Sequence, residues 1–112
     1  MVSRALHCVR DVVDVARSTV FNAQPDALCV SGLTAGVETS AEVLKRVKKA
    51  VPNTPVFANT GVRLDNVAEQ LAIADGAIVG TTFKREGYIW NEVDQSRVAA
   101  FMQAVRDLRA PR

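Results

Sequence analysis

Three short apolar runs, Ala27-Leu28-Cys29-Val30-Ser31, Val56-Phe57-Ala58 and Gly76-Ala77-Ile78-Val79, alternate along this chain with stretches whose apolar residues recur at helical spacing. No other feature constrains the fold as much. Short continuous apolar runs bounded by turn residues read as strands buried in a parallel sheet, and parallel neighbours need a crossover of a dozen or more residues, commonly a helix. The intervening segments meet that requirement. Val9, Val12, Val13, Ala16 and Val20 form one helical stripe that ends before Pro25-Asp26. Ser40 is placed to cap a second helix with Val43, Leu44, Val47 and Ala50 on one side and Lys45, Arg46, Lys48 and Lys49 outside or in its last turn. Asp65 is read as the cap of a short third helix carrying Val67, Ala68, Leu71 and Ala72. The last helix starts near Asp94 or Ser96 and lines up Val98, Phe101, Met102, Val105 and Leu108. Residues 1–6 are a candidate edge strand, and Arg109 to Arg112 are expected to fray.

The expected fold is therefore α/β, a parallel sheet with right-handed crossovers. With 112 residues the chain is a single domain, residues 1–112, less than half of the roughly 250 that a complete (βα)8 barrel takes. A parallel sheet of so few strands leaves edges with unpaired backbone groups, so a homo-oligomer is expected. Hydrophobic residues at 48% and charged ones at 23% are ordinary for a folded soluble domain. A net charge of +2 and 5% aromatic residues give neither the basic surface nor the stacking platforms of a nucleic-acid binder. Cys8 and Cys29 show no CxxC spacing, and no apolar stretch has the length of a membrane span or the form of a signal peptide, so the expected compartment is the cytoplasm.

Two of the runs end in glycine-bearing turns: Asn59-Thr60-Gly61 and Gly80-Thr81-Thr82. Glycine at the carboxyl end of a parallel strand lets backbone N–H groups approach a ligand, and in (βα)8 barrels the loops after the last two strands frequently bind phosphate. Candidate ligand-binding residues are Ser31, Gly32, Asn59, Thr60, Gly61, Gly80, Thr81, Thr82 and Lys84, with a phosphorylated small molecule as the partner. The competing explanation is that these glycines only permit tight turns. His7 is the sole histidine, Cys29 is expected to be a buried, protonated thiol within its strand, and the carboxylates are scattered over caps and turns. No metal or other cofactor is expected, no catalytic group is assigned, and catalysis by the isolated chain is not expected. Asp26 and Asp75 precede strands and are assigned structural roles. Gly80 to about Val93 is read as one long loop, with Tyr88 and Trp90 as a lid, packing groups or anchors of a subunit interface.

These residues resemble the C-terminal part of the BtpA/SgcQ family, a ribulose-phosphate-binding type of (βα)8 barrel. The likeness is carried by Asp26 to Gly32 with Thr34-Ala35-Gly36, by Asn59-Thr60-Gly61-Val62 with Asp65-Asn66-Val67, and by Ala74 to Lys84. Gly87, Trp90-Asn91, Val93-Asp94 and Arg97-Val98 continue it, over about residues 8–108. Asn59-Thr60-Gly61 and Thr81-Thr82-Phe83-Lys84 favour the SgcQ branch. The resemblance implies that the strands are the sixth, seventh and eighth of a barrel, the last three or four βα units, with a flavodoxin-like sheet as the alternative arrangement. It also strengthens the case for an anion site at Gly61 and Gly80. BtpA-like proteins are described as biogenesis factors for membrane complexes, which makes a membrane-complex protein an alternative partner. The SgcQ branch has been assigned roles such as nucleotide hydrolysis, which on this chain implies a nucleotide or sugar-phosphate enzyme that needs a complementary chain. Residues 1–7 are read as departing from the family pattern, and the first five strands as missing, so the chain is expected to be a truncated gene, a domain fragment or a real half-barrel.

Overall fold

The computed structural model describes residues 11–32 and 37–110. His7, Cys8, the edge strand considered for 1–6 and the Thr34-Ala35-Gly36 segment lie outside them. The described elements are helix α1 (Val12–Ala23), strand β1 (Leu28–Ser31), helix α2 (Ala41–Ala50), strand β2 (Val56–Asn59), helix α3 (Val67–Ile73), strand β3 (Gly76–Ile78) and helix α4 (Gln95–Arg109).

Caps account for where the helices begin. The Asp11 carboxylate accepts the Val13 N–H at 2.8 Å and opens α1, the Ser40 hydroxyl accepts the Val43 N–H at 3.4 Å at the start of α2, and Asp94 accepts the Ser96 N–H at 3.0 Å at the start of α4. For α3 the expectation needs correction, because Asn66, not Asp65, is the cap position. The Asn66 amide ties down the preceding turn, accepting the Arg63 N–H and donating to the Gly61 carbonyl, whereas Asp65 is turned outward to pair with Arg63.

The three strands are parallel in the order β1-β2-β3, with Leu28 beside Val56 and Ala58 beside Ala77. Because the order advances without reversal, right-handed crossovers place their helices on one face. A flavodoxin-like sheet reverses its strand order once, but its strands on one side of that reversal advance in the same way, so three strands in this order belong equally to either arrangement. Leu28, Val30, Val56, Ala58 and Ala77 form the covered face and pack with Ala16, Leu44, Val47, Val67, Phe101 and Val105, so all four helices share one core with one side of the sheet. Leu44, Val47 and Val56 are fully buried at its centre, where truncation to alanine typically costs about 2–5 kcal/mol for the larger side chains. This layering is that of a partial (βα)8 barrel or of one side of a flavodoxin-like sheet.

The other face, which alternation assigns to Cys29, Ser31, Phe57, Asn59, Gly76 and Ile78, carries no helix among the described residues. The Phe57 ring lies over Gly76, where an added Cβ would come within 3.1 Å of it. Cys29 is exposed and Ile78 is 48% exposed. The expectation that Cys29 is buried is thus overturned: its run reads as buried on both sides, but only one side is covered.

At the amino end of the sheet, the Asp75 carboxylate accepts the Val56 N–H at 2.8 Å and pairs with Lys48 at 2.8 Å. The Lys48 ammonium first and the Val56 N–H second hold this carboxyl below the ordinary aspartate range. The opposite end, after Asn59 and Ile78, holds the glycine loops.

Candidate functional site

The β2 loop is closed upon itself. Thr60 and Gly61 both take left-handed backbone angles, φ 74° and 67°. The Thr60 hydroxyl accepts the Gly32 N–H at 2.8 Å and donates to the Val37 carbonyl at 2.7 Å, which ties the end of β1 to the segment leading into α2. Gly61 is pressed against that segment so closely that a Cβ would lie 2.2 Å from the Glu38 nitrogen. Gly32 is equally confined, with the Val37 carbonyl oxygen 2.2 Å from any Cβ it might carry. Beneath the loop, Thr39 donates to the Val30 and Asn59 carbonyls, and Gln70 donates to the Thr39 carbonyl, both residues being buried. These glycines are required by packing, whatever else they serve.

The β3 loop is built differently. Gly80 has φ −140°, and a Cβ placed on it would meet nothing within 4 Å. After it the chain forms a 3-10 turn, Thr81–Phe83, whose internal bonds are made by the Phe83 and Lys84 N–H groups, so the Thr81 and Thr82 N–H groups are not used within the turn. Phe83 anchors the turn edge-on to Phe101 of α4, with ring centroids 5.1 Å apart. The expected long loop is more ordered than its composition suggests. It contains a second 3-10 turn at Arg85–Gly87, doubles back through a Lys84–Val93 bridge, and is tied by an Arg85–Glu92 ion pair of 2.8 Å. Tyr88 and Trp90 stand at its tip, 57% and 81% exposed, which removes loop packing as an account of Trp90.

Between the two loops, above the carboxyl end of the uncovered sheet face, lies an open cavity of about 320 Å³. Of the residues singled out in the sequence, Asn59, Thr60, Gly61, Gly80, Thr81 and Thr82 line it. Ser31, Gly32 and Lys84 do not. Ser31 supports the site from beneath by accepting the Asn59 side-chain N–H at 2.9 Å, and Gly32 does so through Thr60. Lys84 sits between the two 3-10 turns, away from the lining.

Two cations of the lining, Arg63 and Arg97, were not among the candidate ligand-binding residues, Arg97 having been noted only as part of the family pattern. Arg63 is engaged by its neighbours: it donates to the Gly61 carbonyl at 3.1 Å and pairs with Asp65 at 3.1 Å and Glu38 at 3.5 Å. Arg97, in the first turn of α4, donates from Nε to the Thr82 carbonyl at 2.7 Å and has no carboxylate within 4 Å among the described residues. Among those residues there is also no group of three His, Cys, Asp or Glu side chains able to hold a metal ion.

A parallel α/β sheet with its glycine loops and a cavity at the carboxyl ends of the strands is the arrangement of a partial (βα)8 barrel or a flavodoxin-like sheet, both of which take ligands at that end. The chain belongs to the BtpA family, whose match extends over residues 1–107. That span includes the first seven residues, so the expectation that they depart from the family is corrected. SgcQ, a protein of the sgc region of Escherichia coli (strain K12), is 60% identical over 100 residues, which are 89% of this chain and 37% of SgcQ. The photosystem I biogenesis protein BtpA of Synechocystis sp. (strain PCC 6803) is 33% identical over 89 residues, 80% of this chain and 31% of BtpA. The uncharacterized protein TK2179 of Thermococcus kodakarensis is 35% identical over 108 residues, 96% of this chain and 41% of that protein. The higher identity to SgcQ than to BtpA agrees with the SgcQ-branch pattern of the two glycine loops, and the chain spans well under half the length of these relatives.

Proposed function

We propose that this chain binds a phosphate-bearing small molecule over the carboxyl ends of β2 and β3. The observation that carries this reading is Gly80: the protein's own packing does not require its missing side chain, and the space beside it belongs to the cavity. Thr81 and Thr82 bring hydroxyls to the same lining, and the uncovered end of the sheet is where a barrel of this type takes its ligands. Inorganic phosphate or a sugar phosphate is expected to raise the thermal midpoint of the wild type and to have no effect on Gly80→Val. A wild type that no phosphate compound stabilises rules the reading out.

A second reading is a non-enzymatic assembly or biogenesis factor for a membrane complex. It is favoured by the exposure of Trp90 and Tyr88 and by the photosystem I biogenesis role of the Synechocystis relative. A defined partner recovered by the wild type and lost with Trp90→Ala supports it; recovery of no partner counts against it. In a third reading the chain is part of a nucleotide or sugar-phosphate enzyme whose other strands come from a complementary polypeptide, as the coverage of SgcQ suggests. Reconstitution without activity removes that reading. We also propose self-association, on the ground that β1 and β3 have no outer strand among the described residues. Light scattering that returns a discrete oligomer supports it, and a monomer at all concentrations does not. No described helix is long and apolar enough to cross a membrane. We take the cytoplasm as the compartment on the strength of the sparse cysteines.

A further inference from the structure

With phosphate binding at this cavity as the premise, we propose that Arg97 is the side chain that grips the anion, and that the group gripped is a phosphate monoester. Of the two cations in the cavity lining, Arg63 lies within 4 Å of carboxylates, whereas Arg97 does not, although it is partly buried at the cavity wall. Asp94, three residues earlier, directs its Oδ1 to the Ser96 N–H and hydroxyl. The first turn of a helix is also where the backbone dipole disfavours a cation, and within its own helix Arg97 is offset only by the charge of the Asp94 carboxylate acting beyond ion-pair distance.

The guanidinium is nevertheless held in place. Its Nε is fixed on the Thr82 carbonyl, which sets the plane of the group and leaves both terminal nitrogens without a partner among the described residues. Gly87, at φ 69°, lies beside one of them, and a Cβ there would come within 3.3 Å of it. A rigid fork of this kind suits two oxygens of one anion. The Thr81 and Thr82 hydroxyls in the same lining are suited to a third. Three terminal oxygens on one phosphorus are offered by a monoester and not by a diester, which has only two; among compounds with such a group the monoester is the smallest that also has an organic body. The apolar Ile78 side chain and the Asn59 amide farther along the lining suit the body of a small hydroxylated compound.

The probes are methyl phosphate and dimethyl phosphate, titrated into the wild type, Arg97→Met, Arg97→Lys and Lys84→Gln, with circular dichroism and thermal midpoints to show that each variant is folded. The wild type is expected to prefer methyl phosphate. Arg97→Met is expected to weaken that binding by about ten- to a hundredfold and to abolish the preference, with partial recovery in Arg97→Lys. Lys84→Gln is expected to bind as the wild type does. The ratio between the two esters separates a grip on the anion from a loss of loop structure, which would weaken both alike. Methyl phosphate binding by Arg97→Met at wild-type strength, or loss in Lys84→Gln alone, overturns the role of Arg97. Equal binding of the two esters by the wild type overturns the monoester assignment. A wild type that binds neither ester defeats the premise instead.

Discussion

The loops after β2 and β3 look alike in sequence, each a strand end followed by glycine and threonine, yet they are opposite in construction. In the β2 loop the Thr60 hydroxyl and the Gly61 carbonyl have protein partners and the glycine is enclosed: Thr60 joins Gly32 to Val37, and Gly61 lies against Glu38. In the β3 loop the glycine faces empty space and a nearby cation, Arg97, has no carboxylate within 4 Å among the described residues. The first loop is a fastening that fixes β1, β2 and α2 relative to one another, and the second is a surface that the protein leaves unfilled. Similar residues therefore carry different meanings, and only the surroundings of each Cα separate them.

The contrast breaks if the two glycines respond alike to substitution. Gly61→Ala combines a left-handed backbone with a backbone collision, and a loss of about 3 kcal/mol or more is expected in denaturant unfolding. Thr60→Val strands a donor and an acceptor that the hydroxyl now serves, for a loss of about 2 kcal/mol in the same measurement. Asp75→Asn, at the far end of the sheet, tests a fastening that depends on charge. Because the folded carboxyl titrates below its ordinary value, its stabilisation is complete above about pH 4 and fades as pH falls toward the folded pKa. The pair is partly exposed, so the loss at neutral pH is expected to be only about 1 kcal/mol, with a flatter stability profile below pH 4 in the variant. Gly80→Ala should have the smallest effect on stability, within about 0.5 kcal/mol, while phosphate binding weakens. Equal destabilisation by Gly80→Ala and Gly61→Ala would erase the distinction.

Much of the fold was legible because local signals and tertiary packing agree. Ser40 caps the helix it was expected to cap, Asp94 is the cap where the last helix was expected to start near Asp94 or Ser96, and Val47 and Phe101 are buried as their spacing predicted. The helix stripes determine which side of each helix meets the sheet, but not that the sheet is covered on one side only. That is why Cys29 was misplaced. The site was legible where backbone conformation leaves a mark in composition, as at Asn59-Thr60-Gly61 and Gly80-Thr81-Thr82. Thr60 was legible as a residue but not in its role, because its two partners come from a different loop. Arg97 was hidden for a related reason. Its spacing from Asp94 suits an ordinary helical ion pair, whereas Asp94 turns to Ser96 and Arg97 to Thr82, a choice made by the fold of the β3 loop.

Cys29 stands on the bare side of the sheet, beside Phe57 in register. Its sulfur is therefore a natural clock for the protein's company. In a Cys8→Ser background, the half-life of its alkylation records how much of the time anything lies over that face, be it another subunit, the rest of a barrel, or water alone.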